Sequence, residues 1–185
     1  KLIADQGVAS LTMRSLAEQA DLSVPTLYNH FRNKNDILEG LASSGVDRLE
    51  EGLAAASDAG PLERSGRLVE LAVNLQTSDP DYYRAMILAR SETSESREST
   101  DARVRAMGLD NFRRALSAGL VSDSLDPDVL ADHVLSAYFA AAREWALGSI
   151  SDEVFRAKAL YAVYLSMLAT AQGSARTRVI ELLDQ

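Results

Sequence analysis

The stretch Leu11–Leu38, LTMRSLAEQADLSVPTLYNHFRNKNDIL, decides how this chain is read. Thr12 places a side-chain oxygen ahead of a short segment in which Leu16, Ala17 and Ala20 share one helical face. After Asp21-Leu22, Ser23 offers a second cap and Pro25 falls in the first turn of a second helix, whose inner face carries Leu27 and Phe31. Two helices of about two turns each, joined by a three-to-four-residue turn, form a helix-turn-helix. Ala17 is small where the two helices must cross. The spacing leaves Val24, Pro25, Thr26, Tyr28, Asn29 and His30 facing outward.

That outward set suits double-stranded DNA. The N-terminal end of a second helix of this kind enters a major groove and offers side chains to base edges. Thr26 can donate or accept, Asn29 can pair with a base edge, and Val24 or Pro25 can touch a thymine methyl. Tyr28, His30, Lys34 and Arg14 are donors that can hold phosphates, and the helix N-termini at Thr12 and Ser23 add backbone N–H groups. A structural reading stands beside each role: Tyr28 can pack at a domain edge, His30 can be a surface residue, and Lys34 can pair with Asp36.

The string from Leu16 to Lys34, followed by Asp36-Ile37-Leu38, resembles the DNA-binding domain of the TetR family of transcriptional repressors. The most specific residues are Leu27, Tyr28, Phe31, Lys34, Ile37 and Leu38, preceded by Thr12, Leu16 and Ala17, and the resemblance covers 35 to 40 residues or so. Many family members carry glycine where this chain has Asp21, a residue that tolerates left-handed backbone better than most. The resemblance implies a three-helix helix-turn-helix domain over residues 1–37 and a ligand-binding and dimerisation domain over 38–185. It also implies a palindromic operator, a homodimer and release by a small-molecule effector. The first helix is short and no basic arm precedes it, so a missing N-terminal stretch is expected ahead of Lys1.

Composition narrows the alternatives. The chain has 185 residues, with 19 Lys and Arg against 27 Asp and Glu, a formal charge of −8. It contains no cysteine and only two histidines, His30 and His133, which excludes thiol catalysis, disulfides and histidine-rich metal sites. No nucleophile-elbow or phosphate-loop spacing occurs, so neither catalytic residues nor a cofactor are expected. The longest near-apolar run, Ala159 to Ala171, falls short of the roughly 20 residues of a membrane span, and no signal pattern is seen. A cytoplasmic protein that does not engage membranes is expected. The acidity is unevenly placed: Lys1, Arg14, Arg32 and Lys34 outweigh Asp5, Glu18 and Asp21 by one, leaving −9 to residues 35–185. The charge therefore opposes indiscriminate coating of DNA but not specific reading by the head.

Sparse proline and glycine with 3.6-residue periodicity predict an all-α protein of about nine to ten helices, at 1–6, 13–20, 24–30, 36–57, 61–76, 80–91, 100–119, 127–148, 152–172 and 175–184. Ser91–Thr100, rich in Ser and Thr, reads as a loop. The segments 127–148 and 152–172 are apolar nearly all round and must be buried on more than one side, which a chain this size cannot easily do alone. The small residues Ala159, Ala162, Ser166, Ala169 and Gly173 form a stripe suited to close helix approach, and a homodimer through these two helices is expected. Tyr82, Tyr83, Met86, Met107, Phe112, Tyr138, Phe139 and Trp145 are candidates to line a pocket for a largely apolar effector, or else plain core. His133 reads better as a surface or satisfied interior residue than as a ligand anchor, and Glu50-Glu51 as a solvated face. The competing class is a helical interaction module that has lost specific DNA binding.

Overall fold

The computed structural model describes residues 12–56, 58–91 and 98–184. Among them are nine α-helices and no strand: α1 (Met13–Gln19), α2 (Val24–His30), α3 (Lys34–Ala55), α4 (Pro61–Thr77), α5 (Pro80–Ser91), α6 (Glu98–Ser117), α7 (Pro127–Ala146), α8 (Asp152–Thr170) and α9 (Gly173–Leu183). The all-α expectation holds. The expected helix at 1–6 and most of the expected loop at 91–100 lie outside the described residues.

Local chemistry sets the helix starts. Thr12 and Ser15 close a reciprocal capping box at α1. The Ser23 hydroxyl accepts from Thr26 N–H at α2, with Pro25 in the first turn. Helix α3 begins two residues earlier than the periodicity predicts, because the Asn33 side chain accepts from Asp36 N–H at 3.0 Å and makes Asn33 the cap. Asp126 and Ser151 cap α7 and α8 in the same way. Helix α1 stops in a Schellman turn: Leu22 N–H donates to Ala17 C=O at 2.9 Å and Asp21 N–H to Glu18 C=O at 3.3 Å. This places Asp21 at φ 54°, the only non-glycine among the described residues with positive φ.

The head is built on a small core of Ala17, Leu27 and Ile37, with Met13, Leu16, Val24 and Phe31 packed around it. Helix α3, about 33 Å long at 1.5 Å per residue, runs from the head into the body. The expected boundary between residues 37 and 38 falls inside it: Ile37 packs into the head core, and Leu38 packs with Met86 and Ala89 of α5. Leu16 of α1 touches both groups. The body core gathers residues of α4, α6, α7, α8 and α9, with Trp145 and Phe155 fully buried and stacked at 5.4 Å between centroids. Helices α4 and α8 cross closely at Gly66, where a Cβ would stand 1.8 Å from the Tyr164 hydroxyl oxygen. Val121 and Ala171 form a single antiparallel bridge that joins the α6–α7 connection to the end of α8.

Candidate functional site

The structure brings the expected DNA-facing residues together on one surface of the head. Tyr28 is 52% exposed, and Pro25, Asn29 and His30 are exposed beside it on α2. Thr26 is half-buried and its hydroxyl lies 2.7 Å from Ser23 Oγ, so capping and any base contact share one group. Val24 does not face fully outward as the spacing suggested. At the first position of α2 it turns partly inward and packs against the head core. Thr12 and Ser23 stand exposed at the N-termini of α1 and α2. Arg14 pairs with Glu18 one turn along α1 at 3.3 Å, an exposed contact of little energetic weight that a phosphate can replace. Lys34 opens α3 half-buried, and the neighbouring Asp36 carboxylate accepts instead from Arg32 N–H at 2.9 Å.

A second feature lies in the body. A cavity of about 250 Å³, open to solvent on one side, is lined by α3, α4, α5, α6 and α7. Five of the eight expected pocket residues line it: Tyr82, Tyr83 and Met86 from α5, and Tyr138 and Phe139 from α7. The other three do not. Trp145 is consumed by the core: it stacks on Phe155, donates from Nε1 to Asp152 at 2.6 Å and carries the Arg84 guanidinium 4.8 Å from its ring. Phe112 lines a smaller inner void of about 60 Å³, and Met107 packs against Leu49, Leu53 and Leu68. Tyr138 walls both spaces. Burial pushes its hydroxyl well above the ordinary tyrosine range, and burial also raises Tyr82 and Tyr83.

Sequence reasoning did not single out Gln76, which lines the same cavity, or Arg143, exposed at its edge. Glu50 and Glu51 are exposed, as expected of a solvated face, and Arg103 of α6 adds a grip on α3 there, reaching Glu50 and Asp47 at 2.7 Å and Ser43 at 2.9 Å. The polar spacing along α3 was visible, but its partner on α6 was not.

The small-residue stripe divides. Ala159 and Ser166 are buried within the chain, Ala162 is half-buried, and Ala169 and Gly173 are exposed, Gly173 opening α9 at φ 51°. The outer faces of α7 and α8 nonetheless form a groove in which Val129 is 63% exposed, Leu165 53% and Tyr161 51%. His133 lies exposed in that groove, away from the cavity.

Comparison with known proteins follows the same division into head and body. Residues 1–41 match the family model described as bacterial regulatory proteins, tetR family. Over these 41 of its 185 residues the chain is similar to the TetR family. A Rhodococcus sp. protein described as a TetR-family transcriptional regulator is similar along the chain, with 25% identity, a TM-score of 0.61 and coverage of 90% of this chain and 93% of that one. A Syntrophomonas wolfei protein described in the same terms gives a TM-score of 0.76 at 15% identity, covering 89% of each chain. SmeT, the repressor of the Stenotrophomonas maltophilia multidrug efflux pump SmeDEF, gives 0.71 at 15% identity, covering 94% of this chain and 86% of its own. No match is found among curated proteins. Helices α1 and α2 lie within the segment that matches this family of bacterial regulatory proteins. No helix of the described residues is long and apolar enough to cross a membrane, and no group of three or more potential metal-ligating His, Cys, Asp or Glu occurs among them.

Proposed function

We propose that this chain is a TetR-family regulator, a cytoplasmic, non-enzymatic repressor that binds a palindromic operator as a homodimer and is released when a small molecule fills the cavity between α3 and α7. Residues 1–37 act as the reading head and 38–185 as the sensing and pairing body. Thr26, Asn29, Val24 and Pro25 read bases. Tyr28, His30, Arg14 and Lys34, with the N-termini at Thr12 and Ser23, hold phosphates. The observation that carries this reading is the double position of α5. Met86 lines the cavity and is at the same time buried against Leu38 of α3 and beside Leu16 of α1.

A ligand acts only through its differential affinity for two states. One that displaces Met86 or Tyr82 changes the seat of α1 and α3, and so the placing of α2. Two copies joined through the apolar groove of α7 and α8 hold two recognition helices at a fixed separation, which a palindromic site of matching spacing requires. Ala162 and Ala169 lie in that groove and let the partner approach. SmeT's printed role as an efflux-pump repressor is consistent with such a plan.

The test is a fluorescence-anisotropy titration of the full chain with duplex DNA from its own upstream region, at several salt concentrations. Binding should be sequence-selective and weaken steeply with salt. Tyr28→Phe and Lys34→Ala should weaken binding to all sequences, while Thr26→Ala and Asn29→Ala should alter preference among them. Absent or sequence-blind binding would favour an interaction module instead.

A further inference from the structure

The cavity has an apolar interior and a charged mouth. Val46, Leu49, Met86 and Tyr138 build its inner wall, and the polar groups there are already committed. The Tyr138 hydroxyl pairs with Gln76, the Tyr83 hydroxyl pairs with Arg48 of α3, and Thr100 is buried with its N–H donating to Glu39 at 3.2 Å. A molecule held inside therefore meets mostly apolar surface. The mouth differs. Phe139 and Arg143, one turn apart on α7, and Leu41 on α3 line the cavity and are exposed. Only two charged residues line the space, Asp101 and Arg143. Asp101 is half-buried and already engaged. Arg143 makes no side-chain hydrogen bond or ion pair with the described residues, whereas Arg84, Arg103, Arg105 and Arg156 of the same body each hold a carboxylate. The one uncommitted charge at the cavity is positive, and it stands where a bound anion keeps part of its water. An ion buried against the inner wall would lose that water with no counter-charge in return.

Size sets a second limit. An apolar cavity of about 150 Å³ accepts benzene, so about 250 Å³ corresponds to about ten heavy atoms. We propose that this cavity takes an amphipathic carboxylate: an apolar body of about that size lies against Met86 and Tyr138, and the carboxylate sits at the mouth on the Arg143 guanidinium. This rests on the reading of the cavity as the effector site. It adds the chemical class of the effector and the residue that selects its head. A planar guanidinium matches a carboxylate with two parallel hydrogen bonds, and Phe139 and Leu41 cover the part of the body nearest the opening. A cationic head gains nothing comparable, because Arg143 repels it and Asp101 is already engaged.

Isothermal titration of the full chain with three molecules of matched shape tests this: 4-propylbenzoate, its neutral isostere 4-propylbenzamide, and 4-propylbenzylammonium. The benzoate should bind about fivefold more tightly than the amide, a margin between those of exposed and buried charge pairs, and the ammonium should bind most weakly. Arg143→Gln should bring the benzoate down to the amide and leave the amide unchanged, with far-UV circular dichroism confirming the fold. Ala142→Met, which narrows the cavity without touching the charge, should weaken all three. Equal binding of benzoate and amide would overturn the proposed head and leave the cavity as the effector site. A benzoate advantage that survives Arg143→Gln would overturn the assignment to Arg143. Tightest binding by the ammonium, lost in Asp101→Asn, would overturn it in favour of a cationic effector. If none of the three binds, or if Ala142→Met changes nothing, the effector-site reading falls with it.

Discussion

The left-handed turn residue at the end of α1 gives a quantitative test of how the reading head is held. Asp21 sits at φ 54°, where an ordinary L-residue pays about 1–2 kcal/mol and Asp or Asn somewhat less. Replacing it with glycine removes about 1 kcal/mol of strain and adds about 0.5 kcal/mol of chain entropy to be lost on folding, a net gain of about 0.5 kcal/mol. Valine keeps the full strain and its branched Cβ adds about 1 kcal/mol in the opposite direction. The amides of α1 and α2 report local opening of the head directly, so hydrogen exchange over residues 12–31 is the assay of choice. Asp21→Gly should slow exchange there about twofold and Asp21→Val should speed it about fivefold, a spread of about tenfold between the two variants. Asp21→Asn keeps the tolerance for left-handed backbone and removes only the charge. It should leave exchange unchanged while tightening DNA binding, since one negative charge leaves the neighbourhood of the phosphates. If the valine variant exchanged as slowly as the glycine variant, the Schellman turn would not be what sets the angle between α1 and α2.

Gly66→Ala should lower the melting temperature, because its Cβ would stand 2.6 Å from Tyr164 Cζ as well as against the hydroxyl. Overpacking of this kind costs about 1–3 kcal/mol, and Tyr164→Leu in the same chain should recover part of it. Burial raises the Tyr138 hydroxyl above its ordinary value of 10.0, so its neutral form contributes stability that is complete below that pH and is lost as pH rises beyond it. The urea midpoint should therefore fall above about pH 10, and less steeply in Tyr138→Phe, with Tyr82, Tyr83 and Tyr164 supplying the remaining slope. At the acid end, the hydrogen bond from Arg105 holds Asp132 below its ordinary 3.8. The tie between α6 and α7 should persist above that pH and weaken as pH drops through the lowered value, and Asp132→Asn should flatten the acid limb of a stability–pH curve.

The head was legible because its information is local. Caps at Thr12 and Ser23, a proline in a first turn, and Leu27 and Phe31 one turn apart are all written within a few residues of the structures they cause. Even the strain at Asp21 could be anticipated from its place in the turn. The body was legible only in outline. Periodicity located its helices but not the partners of their faces, so Trp145 read as a pocket wall when the stacking of Phe155 and the Asp152 acceptor commit it to the core. Gln76 passed unnoticed for the converse reason: a glutamine near the end of a mixed helix carries no sign of burial until α7 places Tyr138 on the same cavity wall. The stripe on α8 mixed two purposes, since Ala159 serves the chain's own core and Ala169 faces outward.

The shared use of Met86 and Tyr82 constrains how this lineage can diverge. A substitution on α5 that reshapes the cavity also disturbs Leu16 and Leu38, so a new effector gained there would come with an altered grip on the operator. The opposite wall carries no such debt: Phe139 and Ala142 of α7 line the cavity without entering the head junction. Among descendants of this chain, effector preference should drift on the α7 side while α5 stays fixed, and directed evolution toward a new inducer should begin at Phe139 and Ala142.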